Sequence, residues 1–409
     1  MKRHTLTAVE LFAGAGGMAM GTADAGFRHL ALLELDRHAV ATLKENAIRK
    51  AGVQAEIAIE ETDVRSFDYA RLDGAVVDLL AGGAPCQPFS LGGKHAGQND
   101  DRNLFPEVFR AQRALMPRAV LLENVRGLTR SSFRPYLEYI LLQLALPGVA
   151  PRDGEAWKEH KARLLDAWAV NDHGDAPAYD VTIGLRECAN FGLPQRRGRV
   201  FIVAMRTDQG GSVNVPEGGH SEARLAYEQA ISGEYWLRHG LREPQPDSAV
   251  VSSPREVAGR AWLTVRDALR DVPPPIMGRA NGYHPNHVGI PGARSYPGHT
   301  GSPWDEPAKT LKAGVHGVPG GENMLRHDDG AVRYFTVHEA ALLQGFPPDY
   351  RFAGSRSEAM RQIGNAAPTP VCKAIAASIR KALVSRRPSN SNGRRPGIPL
   401  IEHPQLSLV

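Results

Sequence analysis

Short runs of apolar residues alternate with helical patterns along the first 205 residues of the chain. The apolar runs lie at 7–12, 30–33, 75–80, 119–122 and 200–203. Each run has the length of a strand, and the segments between them, such as 37–50, have helical spacing. Strands that alternate with helices are typical of a largely parallel sheet that is covered on both faces. The pattern therefore predicts an α/β fold.

Two amphipathic helices are predicted between the fourth and fifth runs. In the first, the apolar residues from Phe133 to Leu144 follow i, i+3, i+4, i+7 spacing. In the second, over 154–168, Trp157 and Trp168 fall on one face of a more charged helix. We interpret both apolar faces as core packing rather than as ligand contacts.

The pattern becomes irregular after Arg206. Gly and Pro account for 20 of the 58 residues from Pro273 to Gly330, and apolar periodicity is nearly absent there. The aromatic residues of this stretch favour an ordered, irregular region over a disordered one. Regular patterns return at 334–343, and 371–383 is predicted to form a final helix.

These changes divide the chain into three parts. Residues 1–205, completed by 355–384, are predicted to form one α/β domain, and residues 206–354 a smaller irregular domain. The remaining segment, 385–409, is predicted to be a flexible tail, because its first half is rich in Arg, Ser, Asn and Pro and lacks acidic residues.

Composition narrows the class of protein. The chain has 409 residues, of which 42% are hydrophobic and 23% charged, as in soluble globular proteins. Its apolar runs are shorter than a membrane span of roughly 18 residues, and we expect no secretory signal. The scattered cysteines Cys86, Cys188 and Cys372 argue against a disulfide framework and indicate a reducing cytoplasm. The formal net charge of +5 suits a polyanionic partner.

A glycine-rich turn follows the first strand and opens a helix. Residues 12–17 (Phe-Ala-Gly-Ala-Gly-Gly) would let a ligand approach the backbone, although such turns also serve packing. Glu34 ends the second strand, and Asp63 lies near the end of the apolar stretch that follows it in the chain. Ligands of doubly wound folds lie beyond the carboxyl ends of strands, so Glu34 could hold ribose hydroxyls and Asp63 an adenine amino group. The alternative for both acids is a solvated loop carboxylate.

A cysteine, a carboxylate and two arginines stand near other predicted strands. Cys86 lies between two prolines in a glycine-flanked loop, which suits an exposed, pre-positioned thiolate. Glu123 ends a strand and would face the same crevice. Arg197 and Arg199 would alternate onto one face of the strand that follows, where they suit carboxylate, phosphate or base recognition. The alternatives are a small loop hydrophobe for the cysteine and a solvated sheet edge for the arginines.

Taken together, these residues resemble the DNA (cytosine-5) methyltransferase family. The matching blocks are, in chain order, Phe12–Gly17, Pro85-Cys86-Gln87, Glu123-Asn124-Val125, Gln195-x-Arg197-x-Arg199, Leu342–Pro347 and Gly364–Pro368. They span nearly the whole chain. The resemblance implies a Rossmann-like, S-adenosylmethionine-dependent methyltransferase sheet with helices on both faces. Residues 1–205 and 355–384 would then be the catalytic and cofactor-binding domain, and 206–354 the target-recognition domain.

The resemblance also implies a reaction, the transfer of a methyl group to carbon 5 of a cytosine flipped out of double-stranded DNA. The Cys86 thiolate would add to carbon 6, and Glu123 would hold ring nitrogen 3 and the exocyclic amine. Arg197 would contact the base carbonyl oxygen, and Arg199 would support the site's carboxylate and backbone. The loop at 90–103 is similar in position to the family's mobile catalytic loop.

For the cofactor, the resemblance implies a set of residues around the same crevice. The methionine part would lie against Phe12, Gly14, Gly16 and Gly17, the ribose against Glu34 and the adenine against Leu35, Asp63 and Val64, with Pro85, Leu104 and Asn365 closing the pocket. Leu35 stands where many relatives have an aromatic residue. We expect no metal, although His284 and His287 have a metal-like spacing.

The partners follow from the resemblance rather than from charge. Residues 273–330 contain five Lys or Arg and five acids, so a basic DNA-binding face must form in three dimensions. The resemblance implies a monomer that acts on double-stranded DNA in the cytoplasm, with a restriction endonuclease of the same site specificity as a candidate partner. The predicted helix at 154–168 lengthens the 145–180 stretch beyond what is usual in the family, and we assign no function to it.

Three other functions are compatible with parts of the sequence. The same chemistry on tRNA occurs in one branch of the family, but the roughly 125 residues between Arg206 and Gly330 favour a DNA reader. A DNA-binding relative without catalytic activity would not need the intact Cys86 and Glu123. A nicotinamide dehydrogenase would explain the glycine-rich turn but not the Pro-Cys-Gln loop.

Overall fold

The structure is a computed structural model. It describes residues 5–50, 58–85, 103–209, 211–242, 258–280, 282–297, 300–313, 323–385 and 395–399. Cys86 and residues 90–102 of the predicted catalytic loop lie outside the described residues.

A seven-stranded sheet forms the centre of the described fold. Its strands are β1 (Thr7–Leu11), β2 (Arg28–Glu34), β3 (Ala58–Glu61), β4 (Leu79–Gly82), β5 (Ala119–Val125), β6 (Tyr179–Glu187) and β7 (Gly198–Arg206). The order is β3-β2-β1-β4-β5-β7-β6, with β1 to β5 parallel and β7 antiparallel to both of its neighbours. The predicted α/β fold is confirmed. The carboxyl ends of the five parallel strands lie at one end of the sheet, together with the start of β7.

Helices cover both faces of this sheet and connect its strands. The helices of the described residues are α1 (Gly17–Asp24), α2 (Arg37–Lys50), α3 (Phe105–Leu115), α4 (Arg134–Ala145), α5 (Trp157–Ala169), α6 (Glu222–Ala230), α7 (Glu234–His239), α8 (Val265–Leu269), α9 (Val337–Leu343), α10 (Arg356–Asn365) and α11 (Thr369–Ser385). Among the described residues, no helix is long and apolar enough to cross a membrane.

Alternate residues of the central strands pack into two hydrophobic cores. On β5, Val120 and Leu122 pack in the core that includes α3 and α4, whereas Ala119 and Leu121 pack in the core that includes α11. All four residues are at most 2% exposed. Burial on both faces explains why these strands are continuous apolar runs in the sequence.

The region after β7 contains short strands around its own apolar core. The strands are β8 (His220–Ser221), β9 (Arg260–Ala261), β10 (Ile276–Met277), β11 (Val288–Gly289), β12 (Ser302–Pro303), β13 (Met324–Arg326) and β14 (Val332–Tyr334). They pair as β8 with β9, as β10 with β11, and as a three-stranded sheet in the order β12-β13-β14. Phe335, Leu343 and Ile363 share a core with Ala15 of the glycine-rich turn. This core connects the irregular region to the beginning of the chain.

The end of the chain differs in part from the predicted flexible tail at 385–409. Helix α11 ends at Ser385, but residues 395–399 pack against α5 and β6. Pro396 is buried there, and Ile398 contacts the core on the α4 side of the sheet. Two prolines restrict the backbone of this short segment. Ordering it therefore costs less conformational entropy than ordering a segment of the same length without proline.

Candidate active site

Two adjoining cavities lie at the end of the sheet where the parallel strands end. The Glu123 cavity, about 320 Å³, is lined by residues that include Gly14, Gly83, Glu123, Asn124, Arg197, Arg199 and Asn365. The Asp63 cavity, about 640 Å³, is lined by residues that include Leu35, Glu61, Asp63, Val64 and Leu104. The residues common to both are Phe12, Glu34, Asp36, Pro85 and Arg361. The structure thus brings the predicted site residues together, apart from Gly16 and Gly17, which line neither cavity, and Cys86, which is not described.

The glycine-rich turn has an open side and a packed side. Phe12 and Gly14 have positive φ angles of 56° and 53°, which turn the chain sharply at the end of β1. A Cβ atom on Gly14 would have no heavy atom within 4 Å, so this residue borders open space. In contrast, a Cβ on Gly16 would lie 2.8 Å from a leucine side chain, and one on Gly17 would lie 2.3 Å from the Ala367 carbonyl oxygen. Gly14 leaves room for a ligand, whereas Gly16 and Gly17 are required for packing.

Glu34 organises the backbone at the end of β2. Its Oε2 accepts the Gly14 N–H at 2.7 Å, and its Oε1 accepts the Asp36 N–H at 2.7 Å. Asp36 Oδ1 in turn accepts the N–H groups of His38 and Ala39 at the start of α2. Each Glu34 oxygen keeps a second lone pair, so the carboxylate can also accept hydroxyl groups from a bound sugar.

The residues predicted to contact adenine line the Asp63 cavity. Val64 is 4% exposed, and Leu35 is 63% exposed. Asp63 accepts the Arg65 N–H at 2.9 Å and pairs with the Arg65 guanidinium, which lowers the pKa of the Asp63 carboxyl. Leu104, at the start of α3, is partly buried. The cavity therefore combines apolar surface with an ionised carboxylate that can accept a hydrogen bond from an amine.

Glu123 and Arg199 form an ion pair in the Glu123 cavity. Arg199 Nε lies 2.9 Å from Glu123 Oε1, and the two side chains are 12% and 11% exposed. The sheet register explains the pair, because Arg199 on β7 lies opposite Val125, two residues beyond Glu123 on the same face of β5. Burial raises the pKa of the Glu123 carboxyl, and the guanidinium groups of Arg199 and Arg197 offset only part of this effect.

Arg197 is buried, and its guanidinium contacts backbone carbonyl groups. The residue is 1% exposed. Nη2 donates to Gly364 O at 2.7 Å and to Ala366 O at 3.2 Å, and Nη1 donates to Leu311 O at 3.1 Å. These hydrogen bonds fix the loop after α10 against the start of β7. Arg199 is the arginine that contacts the carboxylate of the site, and the predicted contact of Arg197 with a base stays a prediction.

Gln195 makes a second connection between the same segments. Its Nε2 donates to Leu343 O at 3.1 Å and to Gln344 Oε1 at 2.9 Å, while its Oε1 accepts the Leu311 N–H at 3.0 Å. Gln344 Nε2 donates to Ala366 O at 2.7 Å. The sequence blocks around Gln195, Gln344 and Ala366 therefore form one buried hydrogen-bonded network.

Asn124 connects β5 to the segment that precedes Cys86. Its Nδ2 donates to Ala84 O at 3.1 Å, and its side chain is buried. Gly83 lies so close to the neighbouring strand that a Cβ there would be 3.3 Å from Glu123 Oε2. The chain that leads to Cys86 is therefore held beside the Glu123 carboxylate.

Asp36 and Arg361 lie where the two cavities meet, and the sequence analysis did not predict either residue as part of the site. Arg361 on α10 donates to Asp36 Oδ2 at 2.5 Å and so connects α10 to the end of β2. Asn365, at the end of the same helix, is exposed at the Glu123 cavity. Only their closeness to predicted site residues could have indicated them, since Asp36 follows Glu34 by two residues and Arg361 precedes Asn365 by four. Neither charge belongs to a pattern of its own.

His284 and His287, which have a metal-like spacing, contact other protein groups in the structure. His287 Nδ1 contacts Thr336 Oγ1 at 2.9 Å and its Nε2 contacts Pro273 O at 2.8 Å, so both ring nitrogens have protein partners. The ring of His284 stacks on that of His338, with centroids 4.2 Å apart. Within the ranges that the structure describes, no group of three or more His, Cys, Asp or Glu side chains could hold a metal ion.

Known proteins are similar in sequence to this chain over most of its length. A sequence profile of the C-5 cytosine-specific DNA methylase family matches residues 6–148, 166–247 and 283–381. The chain is 31% identical to the type II methyltransferase M.NgoMIV of Neisseria gonorrhoeae over 383 residues, which cover 92% of this chain and 98% of that protein. It is 30% identical to the type II methyltransferase M.Eco47II of Escherichia coli over 386 residues, which cover 93% of this chain and 80% of that protein.

Solved structures share the fold at lower identity. The S. pombe Dnmt2 methyltransferase superposes with a TM-score of 0.55 at 16% identity, over 93% of this chain and 99% of that one. A mutant of Spodoptera frugiperda DNMT2 superposes with a TM-score of 0.52 at 14% identity, over 92% of this chain and 99% of that one. At these identities the likeness concerns the fold alone.

Proposed function

Because the chain belongs to the C-5 cytosine-specific DNA methylase family and is a DNA cytosine-5 methyltransferase, we propose that it acts through a covalent Cys86 adduct on a flipped-out cytosine. The cytosine would lie within a specific double-stranded sequence. The observation that supports this proposal best is the buried Glu123–Arg199 ion pair beside the segment that leads to Cys86.

S-adenosylmethionine is the methyl donor of this family, and it supplies the methyl group when it is bound. The two cavities fit its parts, because they combine open space at Gly14, free lone pairs on Glu34 and an apolar wall with a carboxylate at Asp63. We assign the methionine part to Phe12 and Gly14, the ribose to Glu34, the adenine to Leu35, Asp63 and Val64, and the pocket borders to Pro85, Leu104 and Asn365. Gly16 and Gly17 shape the turn through packing.

The base would lie between Cys86 and Glu123. The Cys86 sulfur forms a bond to carbon 6, the electron pair moves to carbon 5, and carbon 5 takes the methyl group. Loss of the carbon 5 proton then expels the thiolate and restores the double bond. Burial raises the pKa of Glu123, so this carboxyl is suited to share a proton with ring nitrogen 3 while charge develops on the base.

The two arginines would have different roles in this arrangement. Arg199 orients Glu123 and lines the cavity, so it is better placed than Arg197 to contact the base carbonyl oxygen. Arg197 positions the site through its hydrogen bonds to Gly364 and Ala366. This assignment revises the roles that the resemblance implied for the pair.

The region at 206–354 would recognise the DNA sequence, because it follows the catalytic sheet and its described residues form short strands, short helices and loops that lie outside that sheet. The named relatives are type II methyltransferases, which supports a role in restriction–modification, either beside an endonuclease of the same specificity or as a solitary methylase. We propose that the enzyme acts as a monomer.

Bisulfite sequencing of DNA from a methylation-free bacterial host tests the proposal. The host expresses either the wild-type chain or the Cys86→Ser variant, and both genomic DNA and plasmid DNA are sequenced. Cytosines that resist conversion in one short sequence context, in the wild type alone, are the expected result. That result would establish the activity, the nucleophile and the target sequence together.

The same cells provide the contrary outcomes. Resistant cytosines in both strains would show that Cys86 is not the nucleophile. Fully converted DNA together with methylated transfer RNA, measured by bisulfite sequencing of the RNA, would replace DNA by RNA as the substrate. Immunoblots for equal expression of the two proteins control for loss of the variant.

A further inference from the structure

Residues 395–399 lie in a groove between the end of α5 and the outer edge of the sheet. The Trp168 indole N–H donates to Pro396 O at 3.0 Å. Arg395 donates to Ala169 O at 2.5 Å, and its guanidinium lies 5.1 Å from the centre of the Trp168 ring. The segment is therefore recognised through both its backbone and a cationic side chain.

The same segment contacts the edge of β6 through one backbone–backbone hydrogen bond and one hydrogen bond to a side chain. The Val181 N–H donates to Gly397 O at 2.8 Å, and the Gly397 N–H donates to Asp180 Oδ1 at 2.8 Å. Ile398 packs against the core that contains Leu164. Main-chain bonds to a sheet edge, combined with side-chain contacts on either side, are the mode by which extended peptides bind to proteins through strand addition.

The wall of this groove includes α5, a helix that the family profile only partly covers. The profile stops at residue 148, resumes at 166 and ends at 381, whereas α5 begins at Trp157. His160 fixes α5, because its Nδ1 contacts Tyr139 Oη at 2.9 Å and its Nε2 contacts Val149 O at 2.8 Å. The first part of α5 and the C-terminal segment thus lie beyond the match to the family profile, whereas the contacting residues Trp168, Ala169 and Val181 lie within it.

The edge of β6 explains what the segment does. Residues 213–216 contact side chains of the later part of this strand, where Thr182 Oγ1 donates to Val213 O at 2.7 Å and Arg186 donates to Val215 O at 2.6 Å. The segment 395–399 contacts the backbone at the beginning of β6, which is an outer strand of the sheet. An uncovered strand edge is a site for pairing with another chain.

We propose that α5 and β6 form a peptide-binding groove whose ligand is residues 395–399 of the same chain, and that the bound segment prevents pairing of β6 with a second copy. The groove lies at the start of β6, at the opposite end of the sheet from the two cavities. The proposal is therefore independent of the catalytic assignment. It gives α5 and the C-terminal segment a common function.

A truncated chain that ends at Ser385 makes the groove available to a peptide in trans. A fluorescein-labelled peptide of residues 394–400 is titrated with the truncated chain and with the full chain, and fluorescence anisotropy is recorded. We expect saturable binding to the truncated chain and at least tenfold weaker binding to the full chain, because its own segment occupies the groove. Absence of binding to a folded truncated chain, or equal binding to both, overturns the proposal.

Two variant peptides separate the backbone contact from general affinity. Gly397→Pro removes the N–H that donates to Asp180, whereas Gly397→Ala keeps it, and the added Cβ would lie 3.4 Å from Asp180 Oδ1, an ordinary contact. We expect at least tenfold weaker binding for the proline peptide and less than threefold for the alanine peptide. Equal affinities of the two variants would contradict strand addition.

The full chain provides a test that does not depend on how the truncated chain folds. In hydrogen exchange of the full chain, Gly397→Pro should speed exchange of the Val181 N–H at least tenfold relative to Gly397→Ala, and unchanged exchange overturns the proposal.

Light scattering on a sizing column shows whether the bound segment belongs to the same chain or to a second copy. A monomeric full chain that dimerises on truncation supports the proposal, whereas a dimeric full chain that becomes monomeric on truncation shows that the segment comes from a second copy and overturns it.

Discussion

The two ends of the central sheet each hold a buried carboxylate, and the two carboxylates differ in how fully they are paired. At the amino end, Asp78 is 0% exposed, accepts the Thr7 N–H at 2.8 Å on one oxygen and the Arg118 guanidinium at 2.8 Å on the other. At the carboxyl end, Glu123 contacts Arg199 through Oε1, and Oε2 accepts no hydrogen bond from the described residues.

The surroundings of the two carboxylates extend this difference. Arg118 also donates to Gln209 Oε1 at 2.7 Å and to Leu383 O at 3.2 Å, so the Asp78 network joins α11 to the sheet. Glu123 instead borders a cavity, and burial raises its pKa. A closed network contributes to stability, whereas an incompletely paired carboxyl at a cavity keeps its capacity to bind a ligand. Substitutions at the two ends should therefore affect different properties.

The largest expected effect is the loss of methyl transfer on replacing Glu123 by glutamine. Gln has nearly the same shape, but it cannot share a proton with the base, and loss of such a group lowers rates by about 10²- to 10⁴-fold. We expect a kcat at least about 100-fold lower, measured as transfer of tritiated methyl groups to duplex DNA. The substitution also leaves the Arg199 guanidinium without its counter-charge, so kcat is compared at a temperature where circular dichroism shows that the variant is folded. A variant with more than a tenth of wild-type activity would contradict the proposed role.

The second prediction is that replacing Asp78, at the amino end of the sheet, lowers stability but leaves methyl transfer nearly unchanged. Asp78→Asn leaves the partly buried Arg118 without its counter-charge, which should lower the free energy of unfolding by about 3 kcal/mol. Urea denaturation measures this change, and kcat at a temperature where the variant is folded should remain within about twofold of the wild type. Asp73→Asn, at an exposed position in the preceding loop, should change stability by less than about 0.5 kcal/mol. Equal stability of the two variants would remove the distinction between the ends of the sheet.

The sequence predicted the buried strands of this sheet well because burial on both faces produces apolar runs. It did not predict β6, whose sequence interleaves apolar residues with Asp180 and Thr182 as befits an edge strand. It placed a strand at 75–80, whereas β4 begins at Leu79 and Asp78 lies in the network before it. Edges and polar networks depend on tertiary partners that local pattern does not reveal.

The site shows the same limit. The strand-end rule and the family resemblance identified Glu34, Asp63 and Glu123, and these residues line the two cavities. The different surroundings of Arg197 and Arg199 could not be read from their alternation, since both arginines line the same cavity. The difference arises because the carbonyl groups that bind Arg197 come from segments more than 100 residues later in the chain.

The third prediction concerns Glu34, which is proposed to bind the cofactor at the carboxyl end of the sheet. Glu34→Gln replaces one acceptor oxygen by an NH₂ group, so one of the two backbone N–H bonds or a ribose contact is lost. Hydrogen bonds to charged groups contribute about 1.5–3 kcal/mol, so we expect KM for S-adenosylmethionine to rise by about tenfold or more, with kcat within about threefold. Glu60→Gln, which removes a surface partner of Arg71 one strand away, should leave KM unchanged. An equal change in both variants would indicate a general charge effect.

A buried side chain with unpaired polar atoms is not by itself a functional group. His338 tests this point, because it has such atoms but lies away from the two cavities. The residue is 1% exposed, both ring nitrogens lack hydrogen-bond partners among the described residues, and its ring lies against those of His284 and His287. Burial, together with these two histidines, lowers its pKa to about 3. His338 lines neither cavity, so we expect it to affect stability without affecting kcat.

The smallest expected effect is the pH dependence that His338 contributes to stability. The folded pKa is depressed, so between pH 6.5 and about 3 the unfolded chain binds a proton that the folded chain does not, and stability falls as the pH is lowered. From pH 7.5 to 5.5 this amounts to about 1.4 kcal/mol. His338→Phe keeps a ring in the stack and should lose that much less stability over the same interval, measured by urea denaturation at both pH values, with kcat at pH 7.5 unchanged. An identical pH dependence in the variant would show that His338 titrates normally, and a loss of kcat would extend the functional region beyond the cavities.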